Sequence, residues 1–302
     1  MTLALLVTGA GGQLGQAVLK AVAGQRDTFA RGLARADLDV TDPFAVRDLV
    51  AEWARIVRSD SPAHRLVVVS CAAYTAVDQA ETDEEAAYAV NATAPALLAS
   101  SCAAVDARLI HVSTDYVFDG SATSPYEVDD PTAPRTAYGR TKLAGEEGAL
   151  SVHPGGTQVV RTAWLYGGGG THFVRTMARL ERERETVTVV DDQVGSPTWT
   201  GDLATALLDL ARSDAPPGTY HATNAGAVSW HGFARAVFEE LGADPDRVLP
   251  VDTAGFPRPA PRPAYSVLSE KAWRSTGLTP LRGWREALAA AFRAEGEAFR
   301  AQ

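Results

Sequence analysis

Along the first half of the chain, short unbroken runs of apolar residues alternate with longer stretches in which apolar positions return every three or four residues. An unbroken run suits a strand buried on both faces, and the three-to-four spacing suits a helix that packs one side against it. Strands are therefore expected at Ala4–Thr8, Thr28–Gly32, Arg65–Cys71, Leu109–Ser113 and Gln158–Thr162. Helices are expected near Gln13–Ala23, Pro43–Arg58, Asp83–Val90, Ala94–Val105 and Thr136–Leu150. Asp42 ahead of Pro43 gives the second helix an N-cap and a first-turn proline. Strand and helix in alternation predict an α/β fold, a doubly wound parallel sheet with helices on both faces.

After about Gly167 the pattern loosens. Strand-like pieces at Val187–Val190 and Gly218–His221 sit among helices expected at His172–Glu183, Gly201–Arg212, Ser229–Leu241 and Gly283–Arg300. The stretch Phe256 to Pro263 has a proline at every second position from Pro257 on, and proline lacks the ladder donor, so it reads as an ordered loop or the rim of a site. The expected organisation is a first domain over 1–166 and a smaller mixed α/β substrate-binding domain over 167–302, with some later segments returning to the first.

The turn after the first strand reads Thr8-Gly9-Ala10-Gly11-Gly12-Gln13-Leu14-Gly15 and opens the first helix. That is the context a dinucleotide fingerprint requires: Gly9 for the tight turn, Gly12 for close approach of a pyrophosphate, Gly15 for helix packing, and a helix N-terminus for the phosphates. The sheet is thereby of Rossmann type. The spacing of the turn, Gly-x-x-Gly-x-x-Gly, resembles that of the extended short-chain dehydrogenase/reductases. Past the second strand, Arg31 and Arg35 are cations suited to a 2′-phosphate, which favours NADPH, with Arg35 the better placed and NADH left open. Asp39 and Val40 are expected to flank the adenine.

Tyr138 and Lys142 stand four residues apart, on one face of a helix. The chain has only three lysines, so a tyrosine at this spacing from one of them is expected by chance about 0.08 times. A phenol beside an ammonium suits ketone reduction, with Lys142 expected to lower the tyrosine pKa and Tyr138 to hand its proton to the carbonyl oxygen. The strand ending at Ser113-Thr114 brings hydroxyls to the sheet's carboxyl edge, where either could orient the ketone.

Composition narrows the classes further. A net charge of −9 with 28 Lys and Arg against 37 Asp and Glu offers no nucleic-acid footprint, so anionic ligands must be met by local cations. The run Leu3 to Val7 is too short for a signal or a membrane span. Cys71 and Cys102, both in apolar runs, suggest reduced thiols and a cytoplasmic setting. No cluster of His, Cys, Asp or Glu has metal-ligand spacing.

Several segments together carry a family resemblance: Gly12-Gln13-Leu14-Gly15, Ala72-Ala73-Tyr74-Thr75-Ala76-Val77-Asp78-Gln79-Ala80-Glu81, Asn91-Ala92-Thr93-Ala94-Pro95 and Ser113-Thr114-Asp115-Tyr116-Val117-Phe118. They continue as Tyr138-Gly139-Arg140-Thr141-Lys142, Arg161-Thr162-Ala163-Trp164-Leu165-Tyr166, Asp192-Gln193-Val194-Gly195-Ser196-Pro197-Thr198 and Arg262-Pro263-Ala264-Tyr265. In this order they resemble the dTDP-4-dehydrorhamnose reductase family over nearly the whole chain. The resemblance implies NADPH-dependent reduction of the 4-keto group of a dTDP-4-keto-6-deoxyhexose, first of all dTDP-4-dehydro-L-rhamnose. It implies Thr114, Tyr138 and Lys142 as the catalytic set, with Lys142 also holding the nicotinamide ribose. Ala72, Ala73 and Tyr74 would run along the cofactor. Val77, Tyr116 and Trp164 would line the hexose pocket, with Gln193 and Arg262 at the thymidine diphosphate.

Some positions depart from the pattern. Cys71 precedes the alanine pair where a small residue or asparagine is usual, and His172 stands where asparagine commonly precedes Phe173. Relatives with magnesium between acidic side chains at a dimer contact would need acids on the first helix, where this chain has Gln16 and Ala17. That weakens the expectation of magnesium and leaves a homodimer open. The same motifs fit a 4-ketoreductase for a specialised antibiotic or streptose-type sugar, toward which His172 is the one hint. They also fit a non-catalytic NADP-binding regulatory subunit, against which the intact Thr114, Tyr138, Lys142 and Arg262 argue.

Overall fold

The computed structural model describes residues 2–60 and 64–300. The first strand, β1 (Leu3–Thr8), is buried at all six positions. Leu3, Leu5 and Val7 point into one core and Ala4 and Leu6 into another, as a strand covered on both faces must. It is followed by α1 (Gln13–Val22), β2 (Thr28–Leu33), α2 (Pro43–Asp60) and β3 (Arg65–Ser70), each within a few residues of its predicted span. Then come α3 (Val77–Ala80), α4 (Glu84–Tyr88), α5 (Ala94–Ala104), β4 (Arg108–Thr114), α6 (Ala137–Val152) and β5 (Thr157–Thr162).

Two helices expected at 83–90 and 94–105 are one helical stretch joined by a π-helical turn, Ala89–Thr93. Pro95 has no N–H to give the carbonyl of Asn91 four residues earlier, which loosens the α-helical ladder there. The Asn91 side chain is used instead: it accepts from the Tyr74 amide (2.9 Å) and donates to the Tyr74 carbonyl (3.1 Å) and to Thr141 Oγ1 (3.2 Å). One buried amide thus ties the loop after β3 to α6. The four-residue α3 was not foreseen, because so short a segment has no helical period to read.

The second half contains β6 (Leu165–Tyr166), α7 (Phe173–Glu183), β7 (Val187–Val190), β8 (Val194–Gly195), β9 (Thr198–Trp199), α8 (Thr200–Arg212), β10 (Gly218–His221), β11 (Val228–Ser229), α9 (Trp230–Leu241), β12 (Val248–Val251), α10 (Lys271–Ser275) and α11 (Trp284–Arg300). The main sheet has the order β10-β5-β4-β3-β1-β2, all neighbours parallel. The order reverses beside β1, so a crevice opens at its carboxyl end against β3, where such sheets take ligands. Two later elements complete this unit: β10 is its sixth strand, and α8 contributes Leu203, Leu207 and Leu210 to the core beneath α1. A separate core gathers α7, α9 and α11 over the paired β7 and β12, around Tyr166, Phe233 and Phe238.

Candidate active site

The turn from β1 to α1 is built as its glycines require. Gly9 has φ +67°, and a Cβ there would lie 2.5 Å from the Ala72 nitrogen, so only glycine lets β1 and β3 come this close at their carboxyl ends. The Gly12 amide donates to the Gly9 carbonyl (2.9 Å), and no side chain caps α1, whose N-terminus stays available to an anion. Gly11 to Gly15, including Gln13 and Leu14, form one wall of a cavity of about 580 Å³. Cys71, Ala73, Val77, Thr114, Tyr116, Tyr138, Lys142 and Trp164 also line it. Residues dispersed through the first half of the sequence, and Trp164 beyond β5, therefore meet at one crevice.

Thr136 starts α6 by accepting the Gly139 amide on its hydroxyl (3.0 Å), and the Ala137 amide donates to Glu81 (2.9 Å). Gly139 has no side chain to separate the helix from the Tyr116 carbonyl, which a Cβ would approach to 2.3 Å. That close contact brings Tyr138 beside Thr114, whose hydroxyl bears on the phenol, and sets its ring edge-on to Tyr116 at 5.5 Å. One turn on, Lys142 is buried and donates to the Val112 carbonyl (2.7 Å), with His111 Nε2 at 3.3 Å. An ammonium can only donate, so His111 receives at Nε2 and carries its proton on Nδ1, toward Ser70 Oγ (3.3 Å). Burial, with Lys142 nearby, holds the His111 pKa far below the ordinary range and the ring neutral.

Burial pushes the Tyr138 phenol up to about 12, the Thr114 hydroxyl opposing it and Asp115 adding to it. The expectation that Lys142 lowers this pKa is thus corrected: the ammonium is engaged at Val112 and His111, and desolvation dominates the phenol. Tyr138 therefore holds its proton across the neutral range. Lys142 itself is pushed down to about 8 by burial, against the opposing carboxylate of Glu146.

Other predicted residues fall differently. Asp39 spends its carboxylate on the Thr41 amide (3.0 Å) and hydroxyl (2.7 Å), while Val40 is packed in the core with Leu38 and Val46 rather than bared to a ring. Arg35 is exposed just past β2. Tyr74 lies in the loop that follows β3, and its hydroxyl turns away to Asp83 (3.1 Å). Trp164 lines the cavity with backbone φ +47°, strained for any residue but glycine. Its indole is stacked on Trp230 (3.5 Å between centroids, 6° between planes) and abuts Gly195, so much of the surface expected for a sugar is already covered. His172 accepts the Arg175 amide on Nδ1 (3.4 Å) as the N-cap of α7, the task an asparagine would perform there.

A second cavity of about 430 Å³ adjoins the first at Tyr116 and Trp230. Gln193, Arg262, Phe173, Phe256 and Arg258 line it, so the proline-rich stretch is indeed a rim. Gln193 donates to Thr253 (2.9 Å), and Arg262 pairs with Asp78 (2.8 Å). Among the described residues no three His, Cys, Asp or Glu side chains gather as a metal site, and no helix is long and apolar enough to cross a membrane.

A family model described as the RmlD substrate binding domain matches residues 2–296. The dTDP-4-dehydrorhamnose reductase of Mycobacterium tuberculosis is 54% identical over 96% of this chain and 92% of its own. The chain belongs to the dTDP-4-dehydrorhamnose reductase family. Another relative, the dTDP-4-keto-6-deoxy-D-glucose reductase of Streptomyces niveus, is 46% identical over 97% of each chain. Among solved structures, the dTDP-4-dehydrorhamnose reductase of Bacillus anthracis in complex with NADP superposes with a TM-score of 0.90 at 36% identity, over 97% of this chain and 100% of that one. In this member of the dTDP-4-dehydrorhamnose reductase family, the residues that sequence reasoning missed are Trp230 and Asp115. Asp115 lies between Thr114 and Tyr116 with nothing in its neighbours to reveal its burial, and Trp230 opens a helix with no local signature.

Proposed function

We propose that the chain reduces the 4-keto group of a dTDP-4-keto-6-deoxyhexose with NADPH, first of all converting dTDP-4-dehydro-L-rhamnose to dTDP-L-rhamnose, in the cytoplasm. The observation that carries the reading is the meeting of Thr114, Tyr138 and Lys142 in the cavity walled by the glycine turn. The residues suit NADPH: an uncapped helix N-terminus for the pyrophosphate and an exposed Arg35 for the 2′-phosphate. Bound there, the cofactor supplies the hydride. Tyr138 holds the proton for the carbonyl oxygen, Thr114 orients that oxygen, and Lys142 holds the ribose and the charge beside the phenol. Val77, Tyr116 and Trp164 bound the hexose, while Gln193 and Arg262 receive the nucleotide, the guanidinium matching phosphate oxygens once it leaves Asp78. Ala72, Ala73 and Tyr74 run along the cofactor.

A different 4-keto sugar is the second reading, supported by the likeness to the Streptomyces niveus enzyme. His172 no longer supports it, since its cap accounts for it. The deciding experiment supplies purified protein with NADPH and dTDP-4-dehydro-L-rhamnose, then with dTDP-4-keto-6-deoxy-D-glucose, and follows cofactor oxidation. Turnover of the first confirms the reading and turnover of the second alone replaces it. Cofactor binding without any turnover would leave a regulatory subunit.

A further inference from the structure

Asp115 is a carboxylic acid that is 3% exposed, yet it lines the reaction cavity next to Thr114. Of the two groups that the Thr114 hydroxyl bears on, Asp115 Oδ1 (2.9 Å) and the Tyr138 phenol, the carboxylate is the stronger acceptor and takes the one hydroxyl proton, while the Thr114 oxygen accepts the Tyr116 amide (3.2 Å). In that arrangement Thr114 has nothing left to donate to a ketone. The other carboxyl oxygen, Oδ2, is buried without a well-formed hydrogen bond, and so is the hydroxyl of Ser266, which bears on the same carboxyl.

We propose that Asp115 is a positioning residue whose protonation releases the Thr114 hydroxyl toward the substrate carbonyl. In the switch, Ser266 would turn its unpartnered hydroxyl to Oδ2, leaving Oδ1 to take the proton. A protonated Oδ1 becomes the donor to Thr114 Oγ1, so the Thr114 proton turns outward and joins that of Tyr138 on the carbonyl oxygen. An ionised Oδ1 draws the Thr114 proton back, and Tyr138 acts alone. Both states keep every atom in place and differ by one proton taken from or returned to water. This rests on the ketone-reductase reading given above.

The surroundings allow such a switch. Thr114 precedes Asp115 on β4, Tyr116 follows it, Tyr138 faces it from α6, and Ser266 bears on it from the C-terminal half. None of these is charged at neutral pH. The charged pair Arg262 and Asp78 bears on Tyr116 and is not among the groups acting on Asp115. Burial pushes the Asp115 carboxyl up to about 6, the hydrogen bonds from Ser266 and Thr114 opposing it.

The test is the pH profile of kcat/KM for the keto sugar, measured for the wild type, Asp115→Asn, Thr114→Val and Ser266→Ala. One oxyanion donor is worth on the order of a hundredfold. The wild type should therefore lose up to about tenfold per pH unit above about 6 before levelling at the rate Tyr138 supports alone. Asp115→Asn and Thr114→Val should be flat through that range, and Ser266→Ala should show the same limb at higher pH. A limb of unchanged position in Asp115→Asn or Thr114→Val would overturn the proposal, as would a flat wild-type profile. Infrared titration of the buried carboxyl, identified as the band absent from Asp115→Asn, reads the same coupling without turnover and holds even where no sugar is reduced. Thr114→Val should raise the carboxyl's midpoint, and an unmoved midpoint would sink the idea while leaving the reductase reading intact.

Discussion

Replacing Lys142 by methionine should reveal how much stability the fold gives up to hold an ammonium in its interior. Lys142 is 2% exposed, and its pKa falls from 10.5 to about 8 through burial. At about 1.4 kcal/mol per pH unit, that displacement is worth about 3 kcal/mol. The sign follows from proton counts. Between about pH 8 and pH 10.5 the unfolded chain keeps the lysine proton and the folded chain has lost it, so wild-type stability rises with pH across that window. Below it both states are protonated and the full penalty is present. Methionine keeps the length of the side chain and removes the titration, although it also forfeits the bonds to Val112 and His111. That loss is a constant offset, so the diagnostic quantity is the difference between the two proteins as pH changes. Urea unfolding of both, from about pH 7 to about pH 10, should show the wild type gaining about 2 to 3 kcal/mol on Lys142→Met. A difference that stays constant, or moves the other way, would refute the argument that desolvation governs this lysine.

Four further outcomes can be checked. Tyr138→Phe should cut kcat by at least about a hundredfold while leaving NADPH affinity, measured by fluorescence titration, within a few-fold, because it removes a proton and not a binding contact. Gly139→Ala should push the start of α6 off the Tyr116 carbonyl and lower kcat by about tenfold or more, with cofactor affinity less affected; equal kcat in pre-steady-state assays would deny the close contact a role. Arg35→Ala should narrow the preference for NADPH over NADH by about tenfold or more in kcat/KM, and an unchanged ratio would move the 2′-phosphate contact elsewhere. Trp230→Ala should raise KM for the dTDP-sugar more than it changes kcat, since it unstacks Trp164 at the junction of the two cavities.

How much of this was legible depended on whether the signal was local. The six residues of β1 and the glycines after it announce themselves because strand burial and turn chemistry are decided by neighbours in sequence. Tyr138 and Lys142 were legible for the same reason, one helical turn apart. The direction of the tyrosine pKa was not, since it depends on burial and on where the ammonium finds its acceptors. Trp164 could be placed at a strand end from its sequence, but its occupied face depends on Trp230, dozens of residues later. Val40 looked available beside the cofactor because nothing nearby reveals that the core claims it. The merging of two predicted helices turned on Pro95 and on an Asn91 whose partners lie on other elements.

The late return of α8 and β10 to the main sheet bears on how this protein can be taken apart or recombined. A cut after Tyr166 would leave β5 as a bare edge, without the strand that covers it, and would strip α1 of Leu203, Leu207 and Leu210. The part carrying the glycine turn is therefore not a cassette that could be grafted whole onto a foreign second half. Any exchange of the rim loops between relatives would have to keep this interleaved scaffold intact.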